Sequence, residues 1–250
     1  MDKYGLVGFP LGHSFSISYF NEKFQNEGID AVYENYEIPD ISNLPEILDS
    51  TPELRGLNVT RPYKQQVIKY LDSISPEAHA IGAVNVIRVT HKDRKTILKG
   101  FNSDVIGFTK SIEPMLEPCH KKALILGTGG ASKAIHYGLK SLGLETLFVS
   151  RHPKEGAISY DDVTPALIKE YNVIVNCTPI GMYPHTDECP NIPYHAMDIH
   201  TLLYDLIYNP DETLFLKRGK EQGATTANGL EMLLLQAFAS WEFWNGKEQL

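Results

Sequence analysis

Cysteine is scarce: three in 250 residues, at positions 119, 177 and 189. An odd and widely spaced set supplies neither a disulfide framework nor a CxxC metal site, and it fits a reducing compartment. Positive charge is in deficit too, with 23 Lys and Arg against 31 Asp and Glu and a formal net charge of −8. Phosphate-rich partners need a basic face, so neither nucleic acid nor a membrane surface is expected, and an anionic ligand must be held by a few local positives. Long apolar runs are missing, and the opening MDKYGLVGFP has no basic segment followed by an apolar one, so neither a membrane span nor a secretory leader is expected. The expected location is the cytoplasm. Internal repeats and low-complexity tracts are also lacking, so neither a solenoid nor a long linker is needed.

What is present is an ordinary globular composition, 42% hydrophobic and 22% charged, too apolar for disorder. The length allows one large domain or two of roughly 100 to 150 residues, and the patterning favours two. Up to about residue 100, apparent strands YGLVGF, AVYENYEI and GLNVT alternate with the helical stretches ISYFNEKFQNEG and NLPEILDS. That alternation implies βαβ units and a largely parallel sheet. AVNVIRV and KTILKG, joined by a polar HKDR turn, read as a hairpin. A helix in FNSDVIGFTKSIEPMLEPCHKK then leads to a second strand and helix run beginning at ALILGTGGASKAIHYGLKSLG, with later strands TLFVS, NVIVN, LLYDLIY and ATTAN. The last helix, GLEMLLLQAFASWEFW, places Leu230, Leu233, Leu234, Ala237, Phe238 and Trp241 on one face, widened by Met232 and Leu235, and this face is expected to be buried. Gln236 lies off that stripe and needs a partner, either a backbone group or a ligand hydroxyl.

ALILGTGGAS combines a strand, a glycine turn and a helix start. Gly127, Gly129 and Gly130 permit positive φ and close approach of a pyrophosphate, whose charge the first helical amides attract. Ser132 stands at the third glycine position of a GxGxxG pattern, and Ala131, Ala134 and Gly138 would let the helix pack close to the sheet. The other reading is a glycine-rich turn with no ligand. TLFVS ends at Ser150, Arg151 and His152, where an NAD site would carry an acid for the ribose hydroxyls. Arg151, helped by His152 or Lys154, suits a 2′-phosphate instead, which favours NADP over NAD unless Arg151 is simply a solvated charge.

In the first half, polar clusters GHSFS, NVTRPYK, AVN and FNSD fall where strands should end, the place where ligands gather in open α/β sheets. Ser14, Ser16, Asn58, Thr60, Asn85 and Asn102 offer neutral hydrogen bonds, and Lys64 and Asp104 are the charges. That set suits a small polyhydroxylated acid. Taken singly, Ser14 or Ser16 could cap a helix and Asn58 could bond its own turn. Lys64 could be a surface residue opening an amphipathic helix, YKQQVIKYLD.

Together these segments resemble the shikimate dehydrogenase family over nearly the whole chain. The similarity rests on SxS at Ser14 to Ser16, NVTxPxK at Asn58 to Lys64, GAVN at Gly82 to Asn85 and NSD at Asn102 to Asp104. The second half adds GTGGAS, SR at Ser150 to Arg151, NCTPIGM from Asn176, YDLIYNP from Tyr204 and NGLEMLLLQA from Asn228. The resemblance implies NADPH-dependent reduction of 3-dehydroshikimate to shikimate on the route to chorismate and aromatic amino acids. It implies an α/β substrate domain with a mostly parallel sheet, residues 1–103 and 230–250, and a Rossmann-like NADP-binding domain, residues 104–229, with the active-site cleft between them. Lys64 and Asp104 would be the catalytic pair. Ser14, Ser16, Asn58, Thr60, Asn85, Tyr208 and Gln236 would meet the substrate, and Tyr208 and Gly229 would line the nicotinamide. Gly127, Thr128, Gly129, Gly130, Ala131, Ser132, Ser150, Arg151, Thr178 and Pro179 complete the implied cofactor site. Two positions depart from the family pattern: Ile17 replaces the usual proline after the serines, and Val105 replaces a glycine after the aspartate, a change expected to shift that loop or narrow the pocket.

Hydride reduction of a ketone leaves an alkoxide unless an acid stands close to the oxygen. A protonated lysine brings charge and proton together, and burial and a neighbouring carboxylate would push its pKa in opposite directions. Quinate or aminoshikimate dehydrogenation is the nearest alternative, and a non-catalytic NADP or metabolite sensor the more distant one. Retention of both Lys64 and Asp104 speaks against the sensor. Asp187, Cys189, His195 and His200 fall in one stretch, but their spacing matches no metal-ligand set and a loop is expected. The expected partner is a small molecule, the expected metal none, and the expected state a monomer or homodimer.

Overall fold

Both strand and helix runs build sheets. The computed structural model describes all residues except His13, Arg94, Gln249 and Leu250, and the chain divides into Met1–Ser103 with Ala237–Leu250, and Asp104–Gln236. The first unit contains β1 (Asp2–Gly8), α1 (Phe15–Glu27), β2 (Ala31–Glu37), α2 (Leu44–Ser50), β3 (Leu54–Val59), β4 (Ser73–Ile74), α3 (Pro76–Ile81), β5 (Val86–Lys92) and β6 (Lys95–Phe101). Its sheet order is β2-β1-β3-β5-β6-β4. β1 runs parallel to β2 and β3, and β4 to β6, whereas β5 is antiparallel to β3 and β6. The expected hairpin is therefore present, but its turn is tighter than HKDR because His91 and Lys92 pair with Thr96 and Lys95.

The second unit contains α4 (Asp104–Ile112), β7 (Lys122–Leu126), α5 (Gly130–Ser141), β8 (Glu145–Val149), β9 (Ala157–Ile158), α6 (Pro165–Glu170), β10 (Val173–Asn176), β11 (Leu202–Asp205), α7 (Leu214–Lys220) and β12 (Thr225–Ala227). All its strand pairs are parallel, in the order β12-β11-β10-β7-β8-β9. Read from β7, this is the doubly wound order of dinucleotide-binding sheets, with the chain reversing direction across the sheet between β7 and β10. Leu124 and Leu126 of β7 enter one core while Ala123 and Ile125 enter another. Burial on both faces explains the unbroken apolar run of this strand.

Three short helices were not suggested by the alternation. α3, α6 and α7 are six or seven residues long, too short to display a helical period. Their starts are set by side-chain caps: Ser75, Thr164 and Thr213 accept from the amides of Ala78, Leu167 and Leu216. Conversely, YKQQVIKYLD forms no amphipathic α-helix, only a 3-10 segment over Gln66–Tyr70.

α8 (Leu230–Trp244) corrects a second expectation, since Leu230 (41%), Leu234 (40%) and Phe238 (50%) are exposed. Its buried side carries Met232, Ser240, Phe243 and Trp244. Close contacts set this rotation. Gly107 of α4 leaves room for the backbone at Gln236, 3.0 Å from where a Cβ would lie, and the Trp244 ring covers Gly56 while its Nε1 donates to the Ile87 carbonyl at 3.1 Å. Gly138 likewise serves helix packing and not the sheet, because its Cβ position lies 2.9 Å from Thr109 and 3.1 Å from Phe108, both on α4.

Candidate active site

The penultimate residue of β3, Asn58, is a buried asparagine that organises a polar chain. Asn58 Nδ2 faces the Asn85 carbonyl at 3.4 Å and donates to Ser240 Oγ at 3.0 Å. Asn58 Oδ1 accepts from the Tyr33 hydroxyl at 2.8 Å, and Ser16 is half-buried in the first turn of α1. Ser240 Oγ lies 3.1 Å from Ser103 Oγ. Ser103 donates its N–H to Asn85 Oδ1 at 2.7 Å and accepts from Asn85 Nδ2 at 3.0 Å. Two expected site residues, Asn58 and Asn85, are thus joined to Tyr33, Ser240 and Ser103, to which the sequence had assigned no role. Asn58 bonds across strands and not to its own turn.

Ser14 occupies the N-cap of α1 without a side-chain capping bond, so capping does not account for it. Thr60 is half-buried, its N–H donating to the Val7 carbonyl at 2.9 Å. Lys64 is half-buried in the turn after β3, and its carbonyl accepts from Val84 N–H at 2.7 Å, which ties NVTRPYK to GAVN. Asp104 is buried as the first residue of α4, where the helix dipole favours a carboxylate. Gln236 donates to the Leu233 carbonyl at 2.9 Å, a backbone partner within its own helix. Tyr208 is exposed beyond β11. Gly229 is pressed against the Leu206 backbone, where any Cβ would overlap the carbonyl, and it donates to Ile207 O at 3.0 Å.

The glycine turn follows β7 at the reversal point of the second sheet. Gly127 adopts φ 103°, a glycine conformation, and its Cβ position lies 3.0 Å from Thr178 Cγ2, so the turn abuts the loop after β10. α5 begins with Gly129 at its N-cap, no side-chain cap and no acidic residue in the first turn. Open space surrounds the Cβ positions of Gly129 and Gly130. Ser132 is buried and donates to the Gly129 carbonyl at 2.7 Å, so a serine at the third glycine position braces the turn. Thr128 is exposed and Ala131 half-buried.

Beyond β8, Ser150 Oγ accepts from His152 N–H at 3.2 Å and Arg151 is exposed. The Tyr160 hydroxyl lies in the field of Arg151 and is one of two buried side-chain polar atoms without a partner among the described residues. Thr178 donates to Asn176 Oδ1 through Oγ1 at 2.6 Å and N–H at 3.0 Å, and Pro179 is exposed. An uncapped helix start facing open space, a cation at the end of β8 and an unsatisfied buried hydroxyl beside it fit a dinucleotide carrying an extra phosphate.

A buried carboxylate supports the loops around this turn and was not anticipated. Asp205 accepts from Asn176 Nδ2 at 3.1 Å and Ile207 N–H at 3.0 Å on one oxygen, and from Thr213 Oγ1 at 2.6 Å on the other. Burial pushes its pKa up to about 6, against the pull of these three bonds. It joins the end of β10, the segment after β11 and the cap of α7. The signal was an aspartate ending the apolar strand LLYD. Of Asp187, Cys189, His195 and His200, only His200 enters a potential metal-ligand group among the described residues, with Glu117 and Cys119, all exposed and with donor atoms within 4.8 Å of one another.

A doubly wound sheet with a phosphate cradle, joined in one chain to a second α/β unit with a buried polar chain, defines a nicotinamide-dependent oxidoreductase. The model of the shikimate dehydrogenase substrate binding domain matches residues 6–87. A shikimate dehydrogenase (NADP(+)) of Carboxydothermus hydrogenoformans is 38% identical over 259 residues, covering 97% of this chain and 91% of its own. A chorismate mutase/shikimate 5-dehydrogenase fusion protein from Clostridium acetobutylicum matches with a TM-score of 0.87 at 38% identity, across 99% of this chain and 92% of its own. The shikimate 5-dehydrogenase of Thermus thermophilus, in complex with NADP(H) and shikimate, gives 0.84 at 30% identity, across 99% and 94%. The chain belongs to the shikimate dehydrogenase family. Among the described residues, no helix is long and apolar enough to cross a membrane.

Proposed function

We propose that this chain catalyses the reversible NADP-dependent reduction of 3-dehydroshikimate to shikimate, on the route to chorismate and the aromatic amino acids. The observation that carries the reading is the open, uncapped start of α5 at Gly129 and Gly130, a seat for pyrophosphate. It lies in a chain matched nearly end to end by a relative bound to NADP(H) and shikimate. Residues 1–103 and 230–250 bind the substrate, and residues 104–229 the cofactor. Ser14, Ser16, Asn58, Thr60, Asn85 and Gln236 hold the acid and its hydroxyls, and Tyr208 and Gly229 line the nicotinamide. Gly127, Thr128, Gly129, Gly130, Ala131, Ser132, Ser150, Arg151, Thr178 and Pro179 form the cofactor site.

Reduction adds a hydride to the carbonyl carbon and a proton to its oxygen. The nicotinamide supplies the hydride when bound. Lys64 gives the proton from its ammonium and recovers it from water, and Asp104 is the second catalytic group, accepting a substrate hydroxyl. The net charge of −8 disfavours nucleic acid, and three unbridged thiols suit the cytoplasm. We take the working unit to be a monomer or homodimer.

The test is nicotinamide absorbance on mixing the purified chain with shikimate and NADP⁺, repeated with quinate and with NAD⁺. Faster turnover of quinate would select the broader specificity. No turnover in any arm would refute the reading.

A further inference from the structure

We infer that Tyr33 is a positioning residue for substrate binding, holding Asn58 in the orientation that meets the ligand; this rests on the shikimate reading above. The direction of each hydrogen bond in the chain follows from one group that can only accept. Asn58 Nδ2 faces the Asn85 carbonyl, so the amide nitrogen is on that side and Oδ1 faces Tyr33. The single proton of Tyr33 is then committed to Asn58 across 2.8 Å. The order is therefore Tyr33 to Asn58 to Ser240.

That order determines what the side chains can offer. Both protons of Asn58 Nδ2 are engaged, by Ser240 and the Asn85 carbonyl. Its remaining capacity is the second lone pair of Oδ1, an acceptor for a substrate hydroxyl and not for a carboxylate. Tyr33 thus fixes which end of the Asn58 amide the ligand meets.

Tyr33 is itself held rigidly. The Asn21 side chain clamps its backbone from both sides, donating to Tyr33 O at 3.0 Å and accepting from Tyr33 N–H at 2.9 Å. Its ring stacks on Phe20 with centroids 4.8 Å apart. Phe20 and Asn21 both belong to α1, so one helix braces the residue that holds Asn58.

Tyr33→Phe removes only the hydroxyl and keeps the stacked ring. The expected result is a KM for shikimate raised roughly fivefold to tenfold. kcat stays within about twofold of native, and the Kd for NADP⁺ is unchanged. In an Asn58→Ala background the same substitution adds little further increase, because the effect runs through Asn58; Asn58→Ser is the second background should Asn58→Ala fail to accumulate. A merely structural role would lower Tm without moving KM. An unchanged KM in Tyr33→Phe, or KM effects that multiply fully in the double variant, would overturn the inference. Wild-type chain that turns over no shikimate would remove the functional reading and this inference together, whereas an active wild type with an indifferent Tyr33→Phe removes this inference alone.

Discussion

Two glycines in one turn should fail in opposite ways when given a methyl group. Gly129 has φ −76° and ψ −177°, which alanine adopts readily, and no heavy atom lies within 4 Å of its Cβ position. Gly129→Ala should therefore leave stability within about 0.5 kcal/mol of native. The same methyl group enters the space in which pyrophosphate approaches the first amides of α5. Losing one charge-assisted hydrogen bond there costs about 1.5–3 kcal/mol, a rise in the Kd for NADP⁺ of roughly 10- to 100-fold. Gly127 has φ 103° and a Cβ position 3.0 Å from Thr178. Gly127→Ala should cost about 1–3 kcal/mol of stability through backbone strain. Thermal melts without ligand, paired with titration calorimetry of NADP⁺, separate the two effects, and the upward shift of Tm by added NADP⁺ should largely vanish for Gly129→Ala. Native NADP⁺ affinity in Gly129→Ala, or native Tm in Gly127→Ala, would show that the turn does not divide its work in this way.

Three further outcomes are expected. Lys64→Ala should lower kcat by roughly 100- to 10,000-fold while the Kd for NADP⁺ stays near native; steady-state kinetics that find full activity would remove Lys64 as the proton donor. Arg151→Ala should weaken NADP⁺ about tenfold and leave NAD⁺ unaffected, so equal losses for both cofactors in a binding titration would count against a 2′-phosphate contact. Asp205 is held by burial at a pKa of about 6, above its ordinary 3.8. Its native state thus keeps the proton more firmly than the unfolded chain, and the contribution to stability is full below pH 3.8 and lost as pH rises through 6. Relative to Asp205→Asn, wild type should gain up to about 3 kcal/mol between about pH 7 and 4 in denaturant melts. A difference independent of pH would mean the carboxyl titrates normally.

How far the sequence could be read depended on how local each feature is. ALILGTGGAS was legible because strand, turn and helix start occupy ten consecutive residues, and glycine content alone states that the backbone must be approached closely. The hairpin of β5 and β6 was legible for the same reason, and the ordered series of short motifs was enough to suggest the family. The short helices α3, α6 and α7 escaped because a single capping bond, and not a periodic face, defines each of them.

Composition, strand and helix alternation and the glycine turn, all carried by neighbouring residues, were determined by the sequence itself. Tertiary structure alone decided which side of α8 is buried, since helical periodicity marks several apolar faces and only the partners at Gly107 and Gly56 choose among them. It alone joined Asn58 to Ser240, 182 positions away, and closed Asp205 over Asn176 and Thr213. A buried hydrogen bond needs donor and acceptor within about 3 Å, and that proximity is a property of the folded backbone which linear order does not contain.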